Sequence, residues 1–103
     1  MSDMNHIGAI VKILETPNQK FINSNTLVIK FRVQFPQVRK IRIVELVFWG
    51  NLANSVLNYY QVNDYILIEG YISFRENESS NKNNKPFKKV TISVLKVYPF
   101  LLN

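Results

Sequence analysis

The stretch FWGNLANSVLNYYQVNDYILIEGYISFR, residues 48–75, runs from the end of one strand through a short helix into the next strand, and its reading decides the fold. After Gly50, the apolar residues Leu52, Ala53, Val56, Leu57 and Tyr60 recur at helical spacing, which predicts a helix over 51–60. Asn51 is placed to cap it, because its side chain can accept from free N–H groups of the first turn. Tyr59 and Tyr60 are expected to pack the helix end against its neighbours. Residues 64–75 then alternate as a strand, with Gly70 in their middle. An interior glycine weakens a strand, so it marks a bulge or a sharp bend.

Working outward, period-two alternation predicts further strands over 6–14, 26–35, 41–49 and 87–100. In residues 26–35, Leu27, Ile29, Phe31, Val33 and Phe35 share one face, and Val28, Lys30, Arg32 and Gln34 share the other. In residues 41–49, Val44, Leu46 and Phe48 lie opposite Ile41, Ile43, Glu45, Val47 and Trp49. ETPNQKFINSN, residues 15–25, reads as a loop or hairpin, and Pro36 turns the chain between the second and third strands. ENESSNKNNKP, residues 76–86, reads as a mobile polar loop. The order is three strands, one helix, two strands. A single helix cannot cover an open five-stranded sheet, so the sheet is expected to close on itself with the helix plugging one end. That is an all-β OB-fold, a five-stranded Greek-key barrel with one short helix between strands three and four. A small SH3-like barrel would not place a helix there.

The 103 residues bound this to a single domain, with a core over about 5–98. There is no cysteine and one histidine, so thiolate chemistry and histidine metal clusters are excluded, and no cofactor is expected. No apolar run is long enough to span a bilayer. MSDMNHIGAI lacks the charged and apolar regions of a signal peptide and the Arg/Ser-rich character of a transit peptide. The expectation is a protein that stays in the compartment that makes it. Thirteen Lys and Arg against seven Asp and Glu give a net charge of +6, which favours a polyanionic partner. The abundance of Asn, Ile and Lys points to AT-rich codons, as in an organelle genome. No nucleotide-binding, zinc-protease or serine-hydrolase motif occurs, so no enzyme and no small-molecule substrate is expected.

Phe48-Trp49-Gly50-x-Leu52-Ala53, the helix, and Glu69-Gly70 at this spacing resemble the bacterial single-stranded DNA-binding proteins. MNHIGAIVKILETP, residues 4–17, resembles that family's opening, and the likeness spans about 4–98. VQFPQVR followed by FWGNLA is similar to a narrower group encoded in cyanobacteria and algal plastid genomes. The resemblance implies the OB-fold, sequence-tolerant single-stranded DNA binding in replication or repair, assembly of barrels into dimers or tetramers, and a plastid setting. Of the family's stacking positions, Trp49 retains an aromatic ring, Ile43 and Asn77 replace two others, and Phe35 lies near another. Glu45 stands at an arginine position, where it would repel phosphate.

Single-strand binding needs cations along a groove and exposed rings for bases. The candidate stackers are Trp49, Phe35 and Tyr71. Lys30 and Arg32, Arg39, Lys40 and Arg42, and Arg75, Lys85 and Lys88 are the candidate phosphate contacts, with His6 beside them. The residues leave two roles open for Trp49: a base platform, or a contact with another subunit. They leave a second function open as well, an OB-fold interaction module that has lost its nucleic-acid surface, while RNA differs from DNA as a ligand only by its 2′-OH.

Overall fold

The chain forms β1 (His6–Ile13), β2 (Asn18–Ile22), β3 (Thr26–Gln34), β4 (Ile43–Trp49), α1 (Gly50–Tyr59), β5 (Tyr65–Asn77) and β6 (Phe87–Pro99). The computed structural model describes residues 5–36, 43–77 and 87–100. β1 pairs with β5, β5 with β6, β6 with β4 and β4 with β3, and β3 returns to β1 through Lys12↔Gln34 and Ile13↔Val33. Five strands thereby form a ring of pairings, and β2 is added to the outer edge of β3. Among the described residues, β4 and β6 are the one parallel pair. The fold is the expected all-β OB-fold, with its helix between β4 and β5.

β2 is the main difference from the sequence expectation. The stretch read as a loop or hairpin holds a full strand, with Asn18↔Lys30 through Ile22↔Thr26 in register with β3. Asn23 and Ser24 both have positive φ, 54° and 60°, and the Asn25 N–H donates to the Ile22 carbonyl across the turn. Two consecutive left-handed residues match the right-handed twist of the flanking strands, so the hairpin closes without glycine. β5 also runs further than expected. Glu76 and Asn77 continue its ladder, opposite Lys88 and Phe87, rather than opening the loop. The remainder of that expected loop, 78–86, lies outside the described residues.

The alternation of β3 and β4 is the one read from sequence. Leu27, Ile29, Phe31 and Val33 meet Val44, Leu46 and Phe48 in the core, where Phe31 and Phe48 stack with centroids 5.3 Å apart. Each such side chain taken fully out of water contributes ~1.5–3 kcal/mol. α1 packs on β3 and β4 through buried Ala53 and Val56, with Leu52, Leu57 and Tyr60 against the same core. Tyr60 joins this packing, and its burial, with Asp64 nearby, pushes the phenol's pKa up. Tyr59 does not join, because it falls at the margin of the apolar stripe and is exposed.

Two glycines set the path of the chain, one at the start of the helix and one in the middle of β5. Gly50 has φ +60° with open space around it, so conformation alone calls for glycine where the strand turns into the helix. The helix therefore begins one residue before expectation. Trp49, not Asn51, is the N-cap, still extended at φ −121° and ψ 142°, with no side-chain cap bond. At Gly70 the β5–β6 register shifts, and a Cβ there would overlap the Ser93 carbonyl oxygen. That is the expected bulge.

Candidate nucleic-acid interface

Strand register lays the outward side chains of the sheet in three transverse rows. Lys20, Val28 and Trp49 form the first. Lys30, Val47, Ser93 and Tyr71 form the second, and Arg32, Glu45, Thr91 and Ser73 the third. The first residues of each row come from β2 and β3, the last from β4, β6 or β5. These rows enclose a groove of about 300 Å³. Val28 and Val47 are buried although they belong to the outward faces of their strands, so the groove has an apolar floor. Lys20 and Lys30 flank it on the β2–β3 side, and the hydroxyls of Ser73, Thr91 and Ser93 on the β5–β6 side. Half-buried Glu45 also lines it.

Trp49 belongs to this groove and is 50% exposed. Because it keeps extended backbone at the N-cap, its indole remains on the outward side of β4 instead of turning into the core with the helix. A half-exposed ring beside an apolar floor and two ammonium groups can stack a base while the lysines meet phosphate.

The other sequence-derived candidates divide. Lys30 lines the groove as expected. Phe35 does not line it: it has the inward parity of β3 and packs, partly buried, against the core. Tyr71 lies in the second row but beyond the groove lining, 37% exposed, with its ring edge-on to His6 at 5.7 Å. His6 itself has Nε2 3.9 Å from Glu69 Oε1, so it faces a carboxylate rather than an open phosphate site.

Arg32 is outward and exposed, as its alternation predicts, but it is engaged. Its Nε and Nη2 donate to Glu15 Oε1 at 3.0 and 2.8 Å, and its backbone N–H donates to Glu15 Oε2 at 2.8 Å. These bonds hold the Glu15 carboxyl below its ordinary pKa and raise that of the guanidinium. Arg75 and Lys88 are placed by backbone register only, near the far end of the β5–β6 hairpin. Arg39, Lys40, Arg42 and Lys85 lie outside the described residues.

Sequence reasoning passes over Lys20, Thr91 and Ser93 as groove residues, and Glu15 as the partner of Arg32. Lys20 is legible in the Lys20-x-Ile22 alternation only once the segment is taken as a strand. Val47, which shares a strand face with Ile43, is covered, whereas Ile43 is exposed.

Comparison with known proteins bears on the chain as a whole. The single-strand binding protein family model matches residues 4–99. The ycf41 protein of Trieres chinensis, named for single-stranded DNA binding, is 38% identical over 97% of this chain and 92% of its own length. The thylakoid-associated single-stranded DNA-binding protein slr1034 of Synechocystis is 34% identical over 65% of this chain and 55% of its own. Among solved structures, the SSB domain of a Synechococcus protein superposes with TM-score 0.73 at 23% identity, covering 95% of this chain and 98% of that one. A second SSB of Mycobacterium smegmatis gives 0.72 at 20%, covering 94% and 89%. At those identities the two structures speak for the fold.

Proposed function

The chain belongs to the single-strand binding protein family, and from that premise we propose that its outward groove binds single-stranded DNA with little regard for sequence. The observation that carries this reading is Trp49, half exposed beside Lys20, Lys30 and the Val28–Val47 floor. Every base has a face to stack, so one indole gives affinity without sequence choice, at ~1–3 kcal/mol per stacked base. Phosphates neutralised by the lysines release counterions, which makes binding weaken steeply with salt. The bound strand is DNA exposed during replication or repair. A plastid setting is supported by the AT-rich codon signature and by likeness to the Trieres ycf41 protein and a thylakoid-associated cyanobacterial one.

A homo-oligomer accompanies this function. Leu95 and Tyr98 on β6 are exposed and apolar, next to half-buried Leu67 and Ile10 on the outward faces of β5 and β1. Mass measurement in solution should give a dimer or tetramer, and a clean monomer removes this part of the reading.

The test of binding is Trp49 fluorescence titrated with oligo-dT at low and moderate salt. Quenching that saturates, and weakens as salt rises, is the expected result. No quenching and no mobility shift at micromolar strand and low salt overturns the function and leaves the interaction-module reading in its place.

A further inference from the structure

With the groove as a DNA-binding site for premise, Arg32 is where the protein departs from a simple row of cations. β1 leaves β3 after Ile13↔Val33, and the Leu14 N–H still donates to the Arg32 carbonyl at 3.1 Å. One residue later the ladder has no carbonyl for the Arg32 N–H, and the Glu15 carboxylate takes that place. The same carboxylate turns its other oxygen to the guanidinium of Arg32. Backbone and side chain of one arginine are therefore held by one acid seventeen residues earlier.

Carboxylate and phosphate are recognised by the same planar fork of guanidinium N–H groups. Two of the five such groups of Arg32 are occupied by Glu15. The position matters, because Arg32 lies two residues along β3 from Lys30, in the row of Glu45, Thr91 and Ser73 that borders the groove. We propose that Glu15 is an intramolecular stand-in for phosphate, a positioning residue that withholds Arg32 from the bound strand and so sets the affinity of the groove. The side chains of Arg32 and Glu15 are 62% and 36% exposed, so the pair is open to solvent and to a competing anion. Glu15 is ionised at neutral pH, as a carboxylate ordinarily is. The acid thereby subtracts one cation from the phosphate track without subtracting a basic residue from the sequence.

The test is a two-by-two set of full chains: wild type, Glu15→Gln, Arg32→Gln and the double variant, each titrated with oligo-dT between about 50 and 200 mM salt, the range over which counterion release is read. Glutamine keeps an oxygen for the Arg32 N–H while removing the charge, and thermal melts establish that all four chains fold. Glu15→Gln should tighten binding about threefold to tenfold at the low-salt end, and steepen the slope of log K against log salt by about 0.7, the increment of one added contact on a single strand. Arg32→Gln alone should weaken binding less than about twofold, because the arginine it removes is already occupied. In the Arg32→Gln background the Glu15 exchange should gain at most about twofold, through general charge alone. Equal gains in both backgrounds, or no gain in either, overturn the inference while leaving the groove intact. Failure of every chain, wild type included, to bind at low salt overturns the groove itself and this inference with it.

Discussion

Two outward faces of the same ring of strands follow the same alternation and set their charges in different surroundings. On the groove face, Lys20 and Lys30 flank an apolar floor and make no ion pair among the described residues, while Arg32 at its border is bound by Glu15. On the face made by β1, the first half of β5 and the end of β6, charged side chains stand beside one another and beside aromatic rings. Glu69 is opposite Lys96 in register and 3.9 Å from His6, while the Lys12 ammonium lies 5.9 Å from the centre of the Tyr65 ring. Net charge alone, +6, does not separate these faces. A polyanion is drawn to cations that the protein leaves unmatched, and only local geometry shows which those are.

β5 serves both faces, and Gly70 is where it passes from one to the other. The largest expected effect is therefore structural. Gly70→Ala drives a Cβ into the Ser93 carbonyl, backbone that cannot rotate away. The cost is ~3 kcal/mol, at the upper end for overpacking, and thermal unfolding should fall by roughly 10–20 °C. Gly8→Ala on the second face is the contrast: its nearest atoms are 3.8 and 3.9 Å away, and its melting temperature should hardly move. A tolerated Gly70→Ala would mean that the bend does not separate the two faces.

Next in size is the ring that reads bases. Trp49→Ala should weaken oligo-dT binding about 10- to 100-fold, the range of one lost stack. Tyr71→Ala, whose ring contacts His6 beyond the groove lining, should cost under about threefold. Comparable losses from the two variants in the same mobility-shift titration would extend the site along its second row to Tyr71 and His6.

The lysines sharpen the comparison on a smaller scale. Lys20→Gln and Lys30→Gln should each reduce the salt slope by about 0.7, and each weaken binding by about threefold. Lys12→Gln and Lys96→Gln, taken from the other face, should leave the slope as it was. A slope that drops equally for all four would mean that the groove has no special claim on phosphate.

These contrasts are only partly legible in the sequence. Period two assigns the inward and outward sides of β3 and β4, since a single buried face forces that alternation over Leu27–Val33 and Val44–Phe48. Gly70 announces its bulge, and the helix read between the third and fourth expected strands fixes the architecture. β2 is hidden because its five residues stand between Pro17 and the Asn-Ser-Asn turn, whose left-handed pair carries no glycine to mark it. Burial of Val28 and Val47 depends on neighbours that register supplies, Trp49 opposite Val28 and Lys30 opposite Val47, and no single-strand pattern contains them. The Glu15–Arg32 pair is of the same kind: it exists because β1 parts from β3 just there. Alternation can tell which way a side chain points; whether it arrives unmatched is a property of the closed sheet.

The smallest effect comes from that same pair and runs with pH. Arg32 lowers the folded-state pKa of Glu15, chiefly through the side-chain hydrogen bonds. A carboxyl that is easier to ionise folded than unfolded adds stability above its unfolded pKa, ordinarily ~4.3, and that stability is lost as pH falls through the folded value. Wild type should therefore exceed Glu15→Gln in urea-unfolding stability at neutral pH, and the gap should close as acid protonates the carboxyl in the folded state too. Both side chains are more than a third exposed, so solvent screening holds the gap to ~0.5 kcal/mol or less. Affinity and stability then move in opposite directions in one variant at neutral pH: Glu15→Gln binds the strand more tightly and folds slightly less stably. A variant that lost both would show Glu15 to be a clasp on the β1–β3 seam and nothing more.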